Sequence, residues 1–374
     1  MAANQQSDSR TITAIEARKS ILRCFKKQRP IFLWGPPGIG KSELVEGITD
    51  ELGGLMIDLR LGQMEPTDIR GIPFFNKDNG KMDWAPPIDL PDDEMASKYP
   101  VVVLFLDELN SAAPAVQSAS YQLILNRRVG KYVLPKNVVM VAAGNRESDK
   151  GVTFRMPTPL ANRFVHQELK VDHPSWEQWA VNNKIHKDVV GYIGFAKQDL
   201  FDFDPRSSSR SFASPRSWTF VSQFCEDEDI TDAELTNLIA GTVGEGLAIK
   251  FMAHRKVAGQ MPRAEDVLSG KVTELTTKEV SAQYSLAVSL CYELQSHFQA
   301  LNGDTKKMDA WHSMADFFLA FMMKNFNTEL VVMGARVALT TYNLPLMPNK
   351  LQNFNEFHKR FGKYILAASS KENR

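Results

Sequence analysis

Residues 35–42 read Gly35-Pro36-Pro37-Gly38-Ile39-Gly40-Lys41-Ser42, between an apolar run, Ile31–Trp34, and a helical stretch, Glu43–Leu52. Strand, glycine-rich turn and helix in that order form a phosphate-binding loop. The glycines let backbone N–H groups turn toward a bound anion, and the following helix points its positive dipole end at the same place. Lys41 then reaches the β- and γ-phosphates, the Ser42 hydroxyl ligates Mg²⁺, and Glu43 opens the helix beside them. A plain turn between a strand and a helix has no need of Lys-Ser at its end. The chain is expected to bind a nucleoside triphosphate.

Its 374 residues allow two or three domains with cores of their own. Lys+Arg and Asp+Glu both number 44, so the total charge gives no electrostatic footprint for nucleic acid or an anionic membrane. Cys24, Cys225 and Cys291 are odd in number and far apart, which fits a reducing compartment better than a disulfide framework. The histidines form no H-x-x-x-H pair and sit near no cysteine pair, so no zinc site is expected. Met1–Arg10 lacks an apolar segment, and the longest apolar runs, Val101–Leu106 and Phe317–Met323, are too short to span a bilayer. These features predict a soluble, cytoplasmic protein without a membrane span.

Up to about Lys170, short β-branched or aromatic runs alternate with helical stretches, which predicts a parallel α/β sheet with helices on both faces. Strands are expected at Ile31–Trp34, Leu55–Asp58, Val101–Leu106, Val138–Ala142 and Val165–Leu169. The Pro-, Gly- and Asp-rich segment 62–99 is an insert, with a hairpin expected around Asp78-Asn79-Gly80. From about Val171 helical signals take over. Asp202–Pro215 reads as a loop, a helix follows from Pro215 through Phe224, and another helical region lies beyond Gly270. There Val280, Tyr284, Ala287, Val288, Cys291, Leu294 and Phe298 share one face at helical spacing, a core stripe. The expected division is an α/β core over 1–170, a helical lid over 171–270 and a further helical region over 271–374.

Three further features carry chemistry. The run Val101–Leu106 closes on Asp107-Glu108, and strand ends in a parallel sheet converge on the rim that holds the phosphate loop. Asp107 is placed to hold Mg²⁺, and Glu108 to orient and deprotonate the attacking water. Asn145 ends the next buried strand, where its amide can bond both the γ-phosphate and the lytic water. Arg163, before the last strand, and Arg216, in the first turn of the Pro215 helix, suit the charge that spreads over a transferring phosphoryl group. A cation at a helix N-terminus opposes the macrodipole by roughly 0.3–1 kcal/mol. That placement of Arg216 makes sense beside an anion.

Taken in order, Gly35–Ser42, Leu104–Glu108, Asn145, Arg163 and Arg216 resemble the motif series of the AAA+ ATPases. Asp107-Glu-Leu-Asn110-Ser-Ala, Leu160-Ala-Asn-Arg163-Phe and Ser214-Pro-Arg216 are similar to three motifs of the MoxR branch. The resemblance covers roughly residues 12–270 and implies a P-loop AAA+ core with a helical lid. It implies that ATP is the nucleotide, that Asn145 is the first sensor and Arg216 the second, and that Arg163 acts on the nucleotide of the neighbouring subunit. Such proteins work as rings, commonly hexamers, with chaperone-like remodelling of a target, and many use a partner bearing a von Willebrand factor A domain. Asn162 stands where the family usually has an acidic residue, and the tail beyond Gly270 matches nothing in it. Arg155 and Arg127 are alternative trans-acting arginines, Arg127 reading equally well as a solvated helix end.

The expected function is a ring-forming Mg-ATP hydrolase that remodels or matures a protein complex, with nucleic acid not indicated. Phe74-Phe75 and Met82-Asp-Trp84 are possible target contacts, although buried packing is the simpler expectation for them. The alternatives are a nucleic-acid-dependent motor or nuclease-associated nucleotidase, which would use Arg127, Arg128 and Lys131, and a nucleotide-switched scaffold. An intact Glu108 argues against a scaffold that does not turn over.

Overall fold

A computed structural model describes residues 11–149, 151, 153–275, 279–301 and 305–372. The chain forms two compact units, one reaching Ser175 and including Phe203–Ser207, the other comprising Trp176–Asp202 and the chain from Ser208.

The first unit runs β1 (Thr11–Ile12), α1 (Ala14–Lys26), β2 (Ile31–Trp34), α2 (Lys41–Glu51), β3 (Leu55–Arg60) and α3 (Pro66–Arg70). The hairpin β4 (Ile72–Asn76) and β5 (Lys81–Ala85) follows, then α4 (Asp93–Ser97), β6 (Val102–Asp107) and α5 (Pro114–Asn126). The small hairpin β7 (Arg128–Val129) and β8 (Tyr132–Val133) precedes β9 (Val138–Gly144), α6 (Thr158–Ala161) and β10 (Val165–Leu169). Among the described residues the main sheet has six strands in the order β1-β10-β2-β9-β6-β3. All its pairings are parallel. The expected strands are present, and β3, β6 and β9 run one or two residues further toward the C-terminal rim than their apolar runs suggest.

Why these strands read as unbroken apolar runs follows from the two-residue period. Phe32, Leu104, Leu106, Met140 and Ala142 pack on one face with Ile69, Val116, Ala119 and Leu123. Ile31, Leu33, Val103, Phe105, Val139 and Val141 pack on the other with Ala17, Ile21, Val45 and Ile48 of α1 and α2. Both faces are covered by helices, so neither set can be polar. The α1 N-terminus is closed by a reciprocal pair in which Thr13 accepts from the Glu16 N–H and Glu16 accepts from the Thr13 N–H.

The segment 62–99 holds α3, the β4–β5 hairpin and α4 instead of a structureless loop. Gly71 starts the hairpin at φ +82°, and a Cβ there would stand 1.8 Å from the Ala85 carbonyl oxygen, so no other residue fits. Burial was the simpler expectation for the hairpin's apolar residues; the structure exposes them, with Ile72 66%, Phe75 59% and Met82 63% accessible. A two-stranded ribbon cannot cover its own faces.

The second unit is helical. After α7 (His173–Asn182), which begins at the end of the first unit, come α8 (Lys187–Phe195), α9 (Pro215–Cys225), α10 (Asp232–Val243), α11 (Glu245–Ala258) and α12 (Ala264–Leu268). Then follow α13 (Val280–Ala300), α14 (Thr305–Asn325), α15 (Thr328–Arg336) and α16 (Phe354–Glu372). Tyr284, Ala287, Val288, Cys291 and Leu294 of the α13 stripe are buried, whereas Val280, at its first turn, is exposed. One core joins Leu286, Leu290, Leu294, Trp311, Phe318, Met322, Leu330 and Val331 with Val181, Val267 and Leu268. Trp311 adds a polar anchor, its indole N–H donating to the Leu294 carbonyl at 2.9 Å. No helix among the described residues is long and apolar enough to cross a membrane.

Phe318 is fully buried in that core. Phe318→Ala is expected to cost about 3–5 kcal/mol through lost transfer energy and a residual cavity, as read from the midpoint of urea unfolding followed by circular dichroism.

Candidate active site

The turn after β2 is tight because its glycines leave no room for side chains. A Cβ on Gly35 would stand 2.5 Å from Ile39 Cδ1 and 3.2 Å from the Leu169 carbonyl oxygen. Gly38 and Gly40 take φ of +76° and +86°, the left-handed region that favours glycine. Gly40 is the residue before α2, so Lys41, Ser42 and Glu43 form the first turn of an 11-residue helix. Their backbone N–H groups have no partner inside the helix, and the loop residues Gly35, Pro36, Pro37, Gly38 and Ile39 lead directly to them.

Lys41 ties this loop to the middle of the sheet. Its ammonium donates to the Gly35 carbonyl at 2.8 Å, the Pro36 carbonyl at 3.0 Å and Asn145 Oδ1 at 3.1 Å. Asn145 can reach it because β2 and β9 are adjacent and in register, Trp34 opposite Gly144. The Gly35 N–H also donates to the Gly144 carbonyl, at 3.3 Å.

Asp107 ends β6 opposite Arg60 of β3, on the same C-terminal rim. One oxygen accepts the Glu108 N–H at 2.9 Å. Burial raises the Asp107 carboxyl above its ordinary range; that hydrogen bond and the charge of Lys41 oppose the rise, and the Asp58 carboxylate adds to it. Glu108 sits at φ +56°, uncommon for a residue with a side chain and costing roughly 1–2 kcal/mol. This turn lays its carboxylate over Gly62, where a Cβ would stand 2.6 Å from Glu108 Oε2. The chain therefore holds an exposed carboxylate beside a half-buried one, each in a different setting.

The structure brings Lys41, Asn145 and the Asp107-Glu108 pair to one rim. Arg163 lies just after α6, exposed, and its guanidinium makes no hydrogen bond or ion pair among the described residues; the same holds for Arg155. Arg216 is an exposed first-turn residue of α9 in the second unit, behind a Ser214 cap. Arg127 is different from either reading of it. It is neither a solvated helix end nor a free cation, because its guanidinium donates to the Pro135 and Val138 carbonyls, both at 2.8 Å. The left-handed backbone at Arg127, φ +53°, turns the side chain back onto the β8–β9 connection.

Sequence reasoning missed several neighbours of the site. Asn110, quoted in a motif but given no role, donates to the Asn145 carbonyl at 2.8 Å. Arg146 binds Asp149 through two nitrogens and Glu168 through a third, fixing the chain just after Asn145. Trp34 donates from its indole N–H to His166 Nδ1 at 2.9 Å while His166 Nε2 donates to the Ala161 carbonyl at 2.8 Å, linking β2 to the helix before Arg163. Arg146–Asp149 and His166–Ala161 are local, three and five residues apart; the Asn110–Asn145, Arg146–Glu168 and Trp34–His166 pairings join residues distant in sequence, beyond a reading by spacing.

The site residues fit a nucleoside triphosphate with a divalent cation. The backbone N–H groups that open α2 suit phosphate oxygens, Lys41 supplies a positive charge, and Ser42 and Asp107 are hard oxygen donors suited to Mg²⁺.

Residues 31–170, which span the loop and the rim, match the model of the family "ATPase family associated with various cellular activities (AAA)". The chain carries an AAA ATPase domain. It is similar to Midasin of Giardia intestinalis, 28% identical over 189 residues, which make up 48% of this chain and 4% of that protein. The chain thus spans only 4% of the length of that curated relative. Among solved structures it is similar to a RuvB mutant of Thermotoga maritima, with a TM-score of 0.36 and 18% identity over 77% of this chain and 89% of that one. NtrX of Brucella abortus in complex with ATP gives a TM-score of 0.36 and 14% identity, covering 80% and 69% of the two chains. Likenesses at that level carry no functional information.

Within the AAA domain, the raised Asp107 carboxyl has a consequence for stability. Unfolded, an Asp loses its proton near pH 3.9; folded, Asp107 keeps it to higher pH. Stability is therefore lost as pH rises from the unfolded value through the folded one. Asp107→Asn is expected to raise the melting temperature of the nucleotide-free protein at pH 7, with the gain vanishing below about pH 4, while Mg-dependent turnover collapses. Scanning calorimetry at the two pH values checks the first part, and a phosphate-release assay the second.

Proposed function

We propose that this chain is a Mg-ATP-hydrolysing AAA+ ATPase, similar to the MoxR branch, that works as a ring and couples turnover to remodelling or maturation of a protein complex. The observation that carries the reading is the Lys41 ammonium, shared between two phosphate-loop carbonyls and Asn145 on the rim that ends in Asp107-Glu108. Residues 35–43 hold the phosphates, with Lys41 moving from its protein acceptors onto the β- and γ-oxygens. Ser42 and Asp107 hold Mg²⁺, which supplies charge neutralisation on the phosphate oxygens when bound. Glu108 takes the proton of the attacking water, Asn145 orients that water against the γ-phosphate, and Arg216 belongs to a lid formed within residues 171–270.

The ring, in this reading a hexamer, follows from Arg163. An exposed guanidinium with no partner of its own among the described residues is free to enter a neighbour's site. Arg155 is the reserve candidate, whereas Arg127 is committed to the Pro135 and Val138 carbonyls. The exposed Ile72, Phe75, Met82 and Trp84 of the β4–β5 hairpin suit contact with a protein target, and a von Willebrand factor A domain protein is the proposed partner. Residues 271–374 supply further helical surface. The proposed compartment is the cytoplasm. A nucleic-acid motor is less well supported, since Arg127 is engaged and Lys131 pairs with Asp83; stimulation of turnover by DNA or RNA that fades with salt would favour it.

Glu108→Gln is expected to bind ATP with near-normal affinity and to lose at least about 100-fold in turnover; hydrolysis close to the parent rate would remove Glu108 as the base. Specific activity is expected to climb with protein concentration and then saturate, because each site needs a neighbour. Arg163→Ala should be inactive alone and partly rescued by mixing with Lys41→Ala, whose subunits donate an intact Arg163. Sizing by light scattering at the lowest concentration decides a flat profile, and an active monomer there would rule out the shared site.

A further inference from the structure

Asn110 lies two residues beyond Glu108, where β6 has ended, and is only 2% exposed. Its amide Nδ2 donates to the backbone carbonyl of Asn145 at 2.8 Å. Because that partner is an acceptor, the nitrogen must be the atom that faces it. The other end of the carboxamide is pressed against β9. A Cβ on Gly144 would stand 2.0 Å from Asn110 Oδ1, so glycine at 144 is what admits the amide. The Asn110 backbone carbonyl meanwhile accepts from the Phe154 N–H at 2.7 Å, next to Arg155. A single buried residue thus holds the backbone of Asn145 with its side chain and the segment before α6 with its main chain.

We propose that Asn110 is a positioning residue for ATP hydrolysis: it fixes the Asn145 backbone so that the Asn145 amide meets Lys41 and the reacting phosphate at a set angle. This rests on the reading of Asn145 and Lys41 as parts of an ATP site. Asn145 follows Gly144, the last residue of β9, and its backbone has one neighbour on each side that could hold it. Arg146 is locked by Asp149 and Glu168 on the far side. On the near side Asn110 supplies the hydrogen bond to the Asn145 carbonyl. Losing it lets the carbonyl rotate, and a rotation of the peptide swings the side chain with it. A misplacement of about 1 Å at a reacting group can cost on the order of 100-fold in rate.

A purely structural Asn110 would lower the folded fraction and leave the chemistry of folded molecules intact. A positioning Asn110 acts through Asn145, so its effect disappears when Asn145 has no amide. Full-length Asn110→Ala, Asn145→Ala and the double variant separate the two, with kcat, KM for Mg-ATP, affinity for a fluorescent ATP analogue and thermal melts measured for each. Asn110→Ala keeps the backbone bond to Phe154 and is expected to lower kcat by roughly 10–100-fold, with nucleotide affinity nearly unchanged. The double variant should be no slower than Asn145→Ala alone, the non-additivity of residues that act as one unit. Should Asn110→Ala fail to fold, Asn110→Asp keeps the volume but turns the donor into an acceptor, and the same loss of kcat is expected. A near-normal kcat for the folded Asn110 variant beside a crippled Asn145→Ala overturns this inference alone, as does a double loss equal to the product of the single losses. Normal turnover by Asn145→Ala overturns the underlying reading and this inference together.

Discussion

The ammonium of Lys41 is the point on which the site depends. It gathers the Gly35 and Pro36 carbonyls and Asn145 Oδ1 within 3.1 Å, so the phosphate loop and the end of β9 are held as one piece. A lysine in that position satisfies carbonyl oxygens that the tight turn leaves without ladder partners. The same charge opposes the rise in the Asp107 carboxyl caused by burial. One cation therefore organises both the loop that would bind phosphate and the carboxylate that would hold its metal.

Around that cation the sheet acts as a ruler. Parallel strands β2, β9 and β6 end on one rim, and their registers put Trp34 opposite Gly144 and Leu106 opposite Ala142. Asn145, the residue after β9, then meets Lys41 from the β2 side and Asn110 from the β6 side. The arrangement explains why polar side chains gather where β6 and β9 end while the residues before them are uniformly apolar: the latter are buried between helical layers on both faces. It also explains the demand for small residues at the rim. Gly35 leaves room for Ile39, Gly62 for the Glu108 carboxylate and Gly144 for the Asn110 amide.

Two settings of carboxylates next to each other give the rim its electrostatic character. Asp107 is partly buried and keeps its proton to higher pH than usual, while Glu108 is turned outward by a left-handed backbone. The cost of that backbone is roughly 1–2 kcal/mol, small against the stability of a domain with two covered sheet faces. Arg60, bonded to Asp58 and close enough to feel Asp107 and Glu108, places a further positive charge at this rim.

Local pattern was enough to identify the loop, five of the six described strands of the main sheet and the Asp107-Glu108 ending in the sequence, but not the two-residue β1 or the β7–β8 hairpin. A glycine at φ above zero, an apolar run buried on both faces and a carboxylate after a strand are each set by interactions within a few residues. The helical character of the second unit and the α13 core stripe were legible for the same reason, since a helix repeats its buried face every three to four positions. Tertiary structure alone decided which distant residues meet. Arg127 had the same local signal as a solvated helix end, and only the approach of Pro135 and Val138 shows its guanidinium to be engaged. The β4–β5 aromatics read as core from their composition, and only the lack of a covering layer on a two-stranded ribbon leaves them exposed. Asn110 reached Asn145 across 35 positions of sequence because β6 and β9 are neighbours in the sheet. Strand order is fixed by how crossovers pack around a common core, and no spacing along the chain encodes it.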